Sequence, residues 1–206
     1  YPNFEELPLD LKYGWGTGAD IVVGGIHDWQ FTGIASKLSK NMQVPRGKVT
    51  GGTSAINGQV FLRPLPGDFE RWVEMGNDRW SFEECLPYML KIETDLDYGG
   101  DFHGQSGPIL VKRHSLESLT DEQLAFYEAC KYRGYPENLD HNLPDATGVG
   151  PYPLNNPGGI RFSTALGYLS QSRHRLNLTI KPNCVTKKIL FDRNTATGVE
   201  VISGSE

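Results

Sequence analysis

Fourteen residues constrain this chain more than any other stretch: Pro45-Arg46-Gly47-Lys48-Val49-Thr50-Gly51-Gly52-Thr53-Ser54-Ala55-Ile56-Asn57-Gly58. Four glycines in so short a span rule out a long helix or an unbroken strand. Glycine tolerates positive φ and lets backbone approach a ligand closely. Successive N–H groups in such a loop form a concavity suited to anions or polar ligand edges. The apolar run Val60-Phe61-Leu62 follows at once and anchors the loop. A tight turn between packed elements would use the same residues, so the stretch alone does not decide for a ligand. It is not a phosphate-binding P-loop, because Gly47-Lys48 lacks the earlier glycine at the required spacing. No GxGxxG follows a strand anywhere in the chain.

The flanking sequence predicts short elements joined by long turns. Ala19–Val23 reads as a short strand and Asp28–Phe31 as an extended piece. Ala55–Leu62 either begins a helix or stays extended, and the two prolines of Arg63–Gly67 end it. Phe69, Trp72 and Val73 recur at helical spacing up to Gly76-Asn77. Ser81-Phe82-Glu83-Glu84 and Thr120-Asp121-Glu122-Gln123 read as capping boxes opening two helices. The first has Pro87 inside it, which predicts a kink or early break; the second stops at Gly134. Residues 94–107 are polar and glycine-rich and read as a surface loop before a strand at Pro108–Val111. Residues 134–160 are a long loop, a length that usually marks function or support from a neighbouring domain. Thr164–Gln171 reads as a short helix and Leu178–Lys181 as a strand. Lys187–Phe191 and Gly198–Ile202 form a hairpin through Asp192–Thr195. The fold class expected is mixed α+β.

A chain of 206 residues with 22% charged and 38% hydrophobic residues is globular. Its net charge of −5 and lack of a basic aromatic stripe argue against a nucleic-acid partner. No apolar run reaches transmembrane length, and the first residues show no signal peptide. Cys85, Cys130 and Cys184 are odd in number and widely spaced, which suits free thiols in a reducing compartment; the expected location is cytoplasmic. The five histidines are scattered and show no metal-ligand spacing, so no metal site is expected.

Several stretches, in order, resemble the glucose–methanol–choline (GMC) oxidoreductases. Arg46-Gly47-Lys48-Val49, Gly51-Gly52-Thr53-Ser54 and Ile56-Asn57 resemble the family's flavin-contacting signature. Asp68-Phe69-Glu70-Arg71-Trp72 with Trp80-Ser81 is similar to its next segment. His103-Gly104-Gln105-Ser106-Gly107-Pro108-Ile109, Arg161-Phe162-Ser163-Thr164-Ala165 with Tyr168-Leu169, and Asn177–Ile180 follow in order. Tyr1-Pro2-Asn3-Phe4 is similar to the segment after the family's second strand.

The resemblance implies part of an FAD-binding domain plus part of a substrate domain. Residues 1–75, with the loop at 45–62, and 161–206 fall to the former, and 76–160 to the latter. It implies FAD as cofactor, contacted by Trp29, Gly51, Gly52, Thr53, Ser54, Asn57, Gly58, Gln59, Val60 and Val185. Asn57 offers two donors and an acceptor to a flavin edge, or serves as a turn residue. Ile56 stands where some family members carry the histidine that bonds flavin covalently, so non-covalent FAD is expected. The implied reaction is oxidation of a small-molecule alcohol to an aldehyde or ketone. A flavin-containing hydroxynitrile lyase and a cofactor-free, non-catalytic fragment are the alternatives. The family's GxGxxG unit has no counterpart before Tyr1, nor its catalytic histidine motif before Glu206. An internal segment, partnered by the rest of the same enzyme and inactive alone, is therefore expected, with no catalytic residue assigned.

Overall fold

The computed structural model describes residues 3–13 and 23–204, in two compact units divided between Gln171 and Ser172. In the first unit, α1 (Leu9–Lys12) is a single turn that buries Leu11. β1 (Phe31–Gly33) and β2 (Met42–Val44) form an antiparallel pair that leads into the glycine loop. The loop closes as a 3₁₀ turn over Gly52–Ala55. Behind it Leu11 and Ile56 form a small core, joined by Leu7 and Val49.

Two helices follow. α2 (Pro66–Glu74) starts with proline at its first position, where the missing N–H costs nothing. Asp68 Oδ2 accepts the Leu65 N–H at 3.0 Å, and Gly76 at φ 91° ends the helix. α3 (Phe82–Ile92) is capped by Ser81, whose hydroxyl accepts the Glu84 N–H. Pro87 does not break it: the helix runs on to Ile92. The hydrogen bond that Pro87 forgoes would have ended on Glu83, and both residues are exposed, where water replaces the donor. Edge-to-face contacts among Phe69, Trp72, Trp80 and Phe82 pack α2 on α3.

A three-stranded sheet then holds β3 (Glu93–Asp95), β4 (Ile109–Arg113) and β5 (Pro153–Leu154) in that order. β3 pairs parallel with β4, and β4 antiparallel with β5. A bridge from Leu154 to Val60 continues the ladder to the end of the glycine loop. The segment 94–107 departs from expectation. It is a surface loop only in part: Leu96, Asp97, Gly99–Asp101, Gln105 and Ser106 are exposed, but Asp95, His103, Gly104 and Gly107 are buried. A Cβ on Gly104 would stand 2.0 Å from the Leu90 carbonyl, and one on Gly107 2.2 Å from the Glu93 nitrogen. The glycines here serve close approach, and the polar residues serve each other.

α4 (Asp121–Tyr132) has the reciprocal Thr120/Gln123 capping box and ends at Gly134, φ 88°. Residues 134–160 are largely irregular, as expected. The helix at Thr164–Gln171 is mostly a π-helical turn, Ala165–Leu169. The second unit carries β6 (Cys184–Asp192) and β7 (Thr195–Ser203), the expected antiparallel hairpin. Arg193, at φ 53°, takes the turn. Leu178–Lys181 is irregular rather than a strand, because no partner strand lies beside it among the described residues. The strand expected at Ala19–Val23 falls almost wholly outside the described residues. Together the elements give the expected mixed α+β fold.

Candidate functional site

The glycine loop is fixed from below and from both ends. At its entry, Asp28 accepts three backbone N–H groups: Gly24 at 2.9 Å, Arg46 at 3.0 Å and Gln30 at 3.1 Å. These same N–H groups, Gly24 foremost, hold its carboxyl below the usual aspartate range. Trp29 N–H and Lys48 N–H exchange bonds with the Arg46 and His27 carbonyls. The loop then doubles back so tightly that a Cβ on Gly47 would lie 2.2 Å from the Gly52 carbonyl. Thr53 Oγ1 accepts the Gly47 N–H at 3.2 Å across this turn.

Residues 160–165 form the backing. Ser54 Oγ donates to the Gly51 carbonyl at 2.6 Å and accepts the Thr164 N–H at 3.0 Å. A Cβ on Gly51 would meet that of Ala165 at 3.1 Å. Buried Arg161 reaches beneath the loop to the carbonyls of Ala55 and Asn57, and to those of Asp10 and Leu11 in α1. Its partners are neutral. Burial pulls its pKa down, and Asp10 opposes that from a distance.

The residues anticipated as cofactor contacts fall into three groups. Gly51, Thr53 and Ser54 are used in bracing the loop. Gly52, at φ 58°, and Gly58 have nothing within 4 Å of a built Cβ, so they border open space. Asn57 does serve as a turn residue: its Oδ1 accepts the Gln59 N–H at 3.1 Å, while its Nδ2 has no partner among the described residues. Gln59 is buried at φ 65° with Oε1 unpartnered. Val60 is half-exposed and bridges Leu154. Trp29 stacks parallel on Phe31 at 6.0 Å, and Lys48 Nζ lies 5.2 Å from its ring centre. Val185 pairs with Ile202 in the second unit.

A second constellation was not anticipated as a unit from the sequence. Glu93, Asp95 and His103 present ligand atoms within 4.8 Å of one another. His103 Nδ1 lies 3.0 Å from Asp95 and Nε2 2.7 Å from Asp140. Arg113 spans Asp95 at 2.9 Å and Asp140 at 2.8 Å. Arg63 pairs with Glu93. Two guanidiniums already pair with the carboxylates, so the chemistry of the set is that of a buried ion-pair network, with Glu93 Oε2 left unpartnered among the described residues. It ties β3, β4 and residues 140–142 to Arg63, in the segment that leaves the glycine loop. Its members are far apart in sequence, and of them only His103 stood in a stretch singled out beforehand for its resemblance, His103–Ile109.

The network makes stability sensitive to acid. Burial pushes the Asp95 carboxyl up, but the Asp97 N–H, Arg113 and the Tyr98 N–H together hold it below its usual range. A depressed folded pKa contributes stability that is present above the unfolded value of about 3.9 and lost as pH falls through the folded value. Burial raises Glu93, against the Gly104 N–H and Arg63. Its contribution has the opposite sign: it is present below about 4.3 and lost as pH rises through the raised value. Urea midpoints should therefore drop below about pH 4, and Asp95→Asn should flatten that slope. An unchanged slope in the variant would assign the acid response elsewhere.

A cavity of about 690 Å³ opens beside β4, lined by Tyr98, Lys112, His114, Leu116, Leu139 and Asn156 among others.

The GMC oxidoreductase family profile matches residues 30–206. The chain is 39% identical over 159 residues to an uncharacterized GMC-type oxidoreductase of Rhodococcus erythropolis, covering 77% of this chain and 31% of that protein. It is 36% identical over 205 residues to an oxygen-dependent choline dehydrogenase of Photobacterium profundum, covering 98% of this chain and 35% of that one. Among solved structures, pyridoxine 4-oxidase from Mesorbium loti superposes with a TM-score of 0.86 at 27% identity, over 96% of this chain and 39% of its own. The chain thus spans about a third of the length of the curated relatives it matches. The order of its motifs, the braced glycine loop and these similarities converge: the chain belongs to the GMC oxidoreductases, an FAD-dependent family.

Proposed function

We propose that the intact protein oxidises a small-molecule alcohol to an aldehyde or ketone with FAD, and that this chain supplies the loop against which the flavin lies. The observation carrying this reading is the open space at Gly52 and Gly58 on a loop otherwise braced on every side. A ligand edge of alternating donors and acceptors fits the unpartnered groups nearby, Asn57 Nδ2 and buried Gln59 Oε1. When bound, FAD supplies the hydride acceptor. The chain's own residues bind and orient: Asp28 fixes the loop entry, Ser54 and Thr164 its middle, and Asn57 its exit. Trp29 offers an aromatic face at the entry, and Val185 a strand backbone for the adenine end. Ile56 has no nucleophilic atom, so FAD is held without a covalent bond.

We assign residues 1–75 and 161–206 to the FAD-binding domain and 76–160 to the substrate domain, with the cavity beside β4 on the substrate side. The base that removes the alcohol proton lies outside these 206 residues in this reading. Ile189, Phe191, Val199 and Ile202 of the hairpin are about half exposed or more, which supports a need for the rest of the enzyme to cover them. The chain alone is therefore inactive, and the enzyme is cytoplasmic. The names of similar proteins, choline dehydrogenase and pyridoxine 4-oxidase, support a reading in which the substrate is an alcohol of a small polar molecule.

The test is anaerobic titration of the intact protein with primary and secondary alcohols. Loss of the visible flavin absorbance is expected, with all flavin released to the supernatant on acid precipitation. Unchanged absorbance together with cyanohydrin cleavage would establish a lyase instead. A well-folded, colourless protein without FAD affinity would overturn both.

A further inference from the structure

Arg161 is 3% exposed, and every hydrogen bond it makes ends on a neutral backbone carbonyl. No carboxylate pairs with it among the described residues, unlike Arg63 and Arg113. Burying an unpaired guanidinium is costly, so its neighbours must gain from its presence. The gain lies in how it turns the peptides it holds. In a trans peptide the carbonyl and the following N–H point in opposite directions. Arg161 Nη1 holds the Ala55 carbonyl at 3.2 Å, and the opposed Ile56 N–H is already used on the Thr53 carbonyl. Arg161 Nε holds the Asn57 carbonyl at 3.2 Å. The opposed N–H belongs to Gly58 and has no acceptor among the described residues. It points away from Arg161, and Gly58 is exposed with open space around its Cα.

We propose that Arg161 is a positioning residue that aims the Gly58 N–H out of the loop as a hydrogen-bond donor to a flavin oxygen or nitrogen, and that its charge, which no carboxylate pairs directly, acting through that peptide, favours the negative charge the flavin gains on reduction. A cation behind the Asn57–Gly58 peptide polarises it, which strengthens the outward donor. The inference rests on the FAD reading given above and adds a role for two residues to it. Lysine does not replace arginine here. A point charge on a flexible stem cannot reach carbonyls from both α1 and the loop with a fixed fork.

The experiment uses the intact holoenzyme, with wild-type FAD content established first. Loss of flavin in the wild type would defeat the FAD reading itself and not this proposal alone. Arg161→Met and Arg161→Lys probe the anchor. Gly58→Pro removes the donor and leaves Arg161 in place; Gly58 is not at a positive φ, which would bar proline. The readouts are FAD dissociation constant, flavin midpoint potential and visible spectrum. Arg161→Met and Gly58→Pro should each weaken FAD binding at least about tenfold and shift the potential downward, with the lysine variant also failing to restore it. A purely structural role would lower thermal stability without moving the potential of the flavin still bound. Should Arg161→Met fail to fold, Gly58→Pro decides. A folded Gly58→Pro enzyme with wild-type affinity, potential and spectrum overturns the proposal.

Discussion

Replacing Arg113 by methionine is expected to cost about 3–5 kcal/mol of folding stability, the usual consequence of breaking a buried ion pair from one side. Arg113 is 7% exposed and faces Asp95 and Asp140 at 2.9 and 2.8 Å. Methionine fills much of its volume but leaves both carboxylates with only the His103 ring nitrogens beside them. A domain's total stability is about 5–15 kcal/mol, so the loss is a large fraction of it. Lys131 provides the contrast. It pairs with Glu137 at 3.3 Å, yet both side chains are around 40% exposed. Lys131→Met should change stability by no more than about 1 kcal/mol. Urea denaturation of the intact protein measures both. Equal midpoints for the two variants would mean that water reaches the network and that its burial contributes little.

Gly52→Val should separate cofactor binding from folding. Gly52 sits at φ 58°, where a β-branched residue is strained by about 1–3 kcal/mol, but the side chain would meet no protein atom within 4 Å. The intact variant should fold and yet bind FAD roughly a hundredfold more weakly, on the order of 3 kcal/mol. The reason is that valine would fill the space in which backbone meets cofactor. Gly47→Ala acts differently. Its Cβ would lie 2.2 Å from the Gly52 carbonyl, so the loop itself must open. Fluorescence titration of FAD and thermal melts distinguish the two. Normal FAD occupancy in Gly52→Val would sink the placement of the loop.

What could be read from the sequence was local. The capping residues Ser81 and Thr120, the stops at Gly76 and Gly134, and the hairpin around Arg193 each depend on a few adjacent residues. Pro87 misled because propensity does not register how little an exposed helical turn loses with one hydrogen bond. The glycine loop was visible as composition, and its membership in an ordered series gave the family. Its bracing was not visible. Ser54 meets Thr164 across 110 positions, and Arg161 meets Asp10 across 151.

The sequence by itself determined the helix ends, the turns, the hairpin and the family, because these follow from the order of residue types along the chain. Only the tertiary structure decided that Asp95, His103, Gly104 and Gly107, within residues 94–107, are interior. There Glu93, Asp95 and Asp140 meet Arg63, Arg113 and His103 out of water. Taken singly, each charged residue in that list reads as surface, since burying one alone is prohibitively costly. Burial becomes tolerable once partners from distant segments arrive together, and that meeting is a property of the fold.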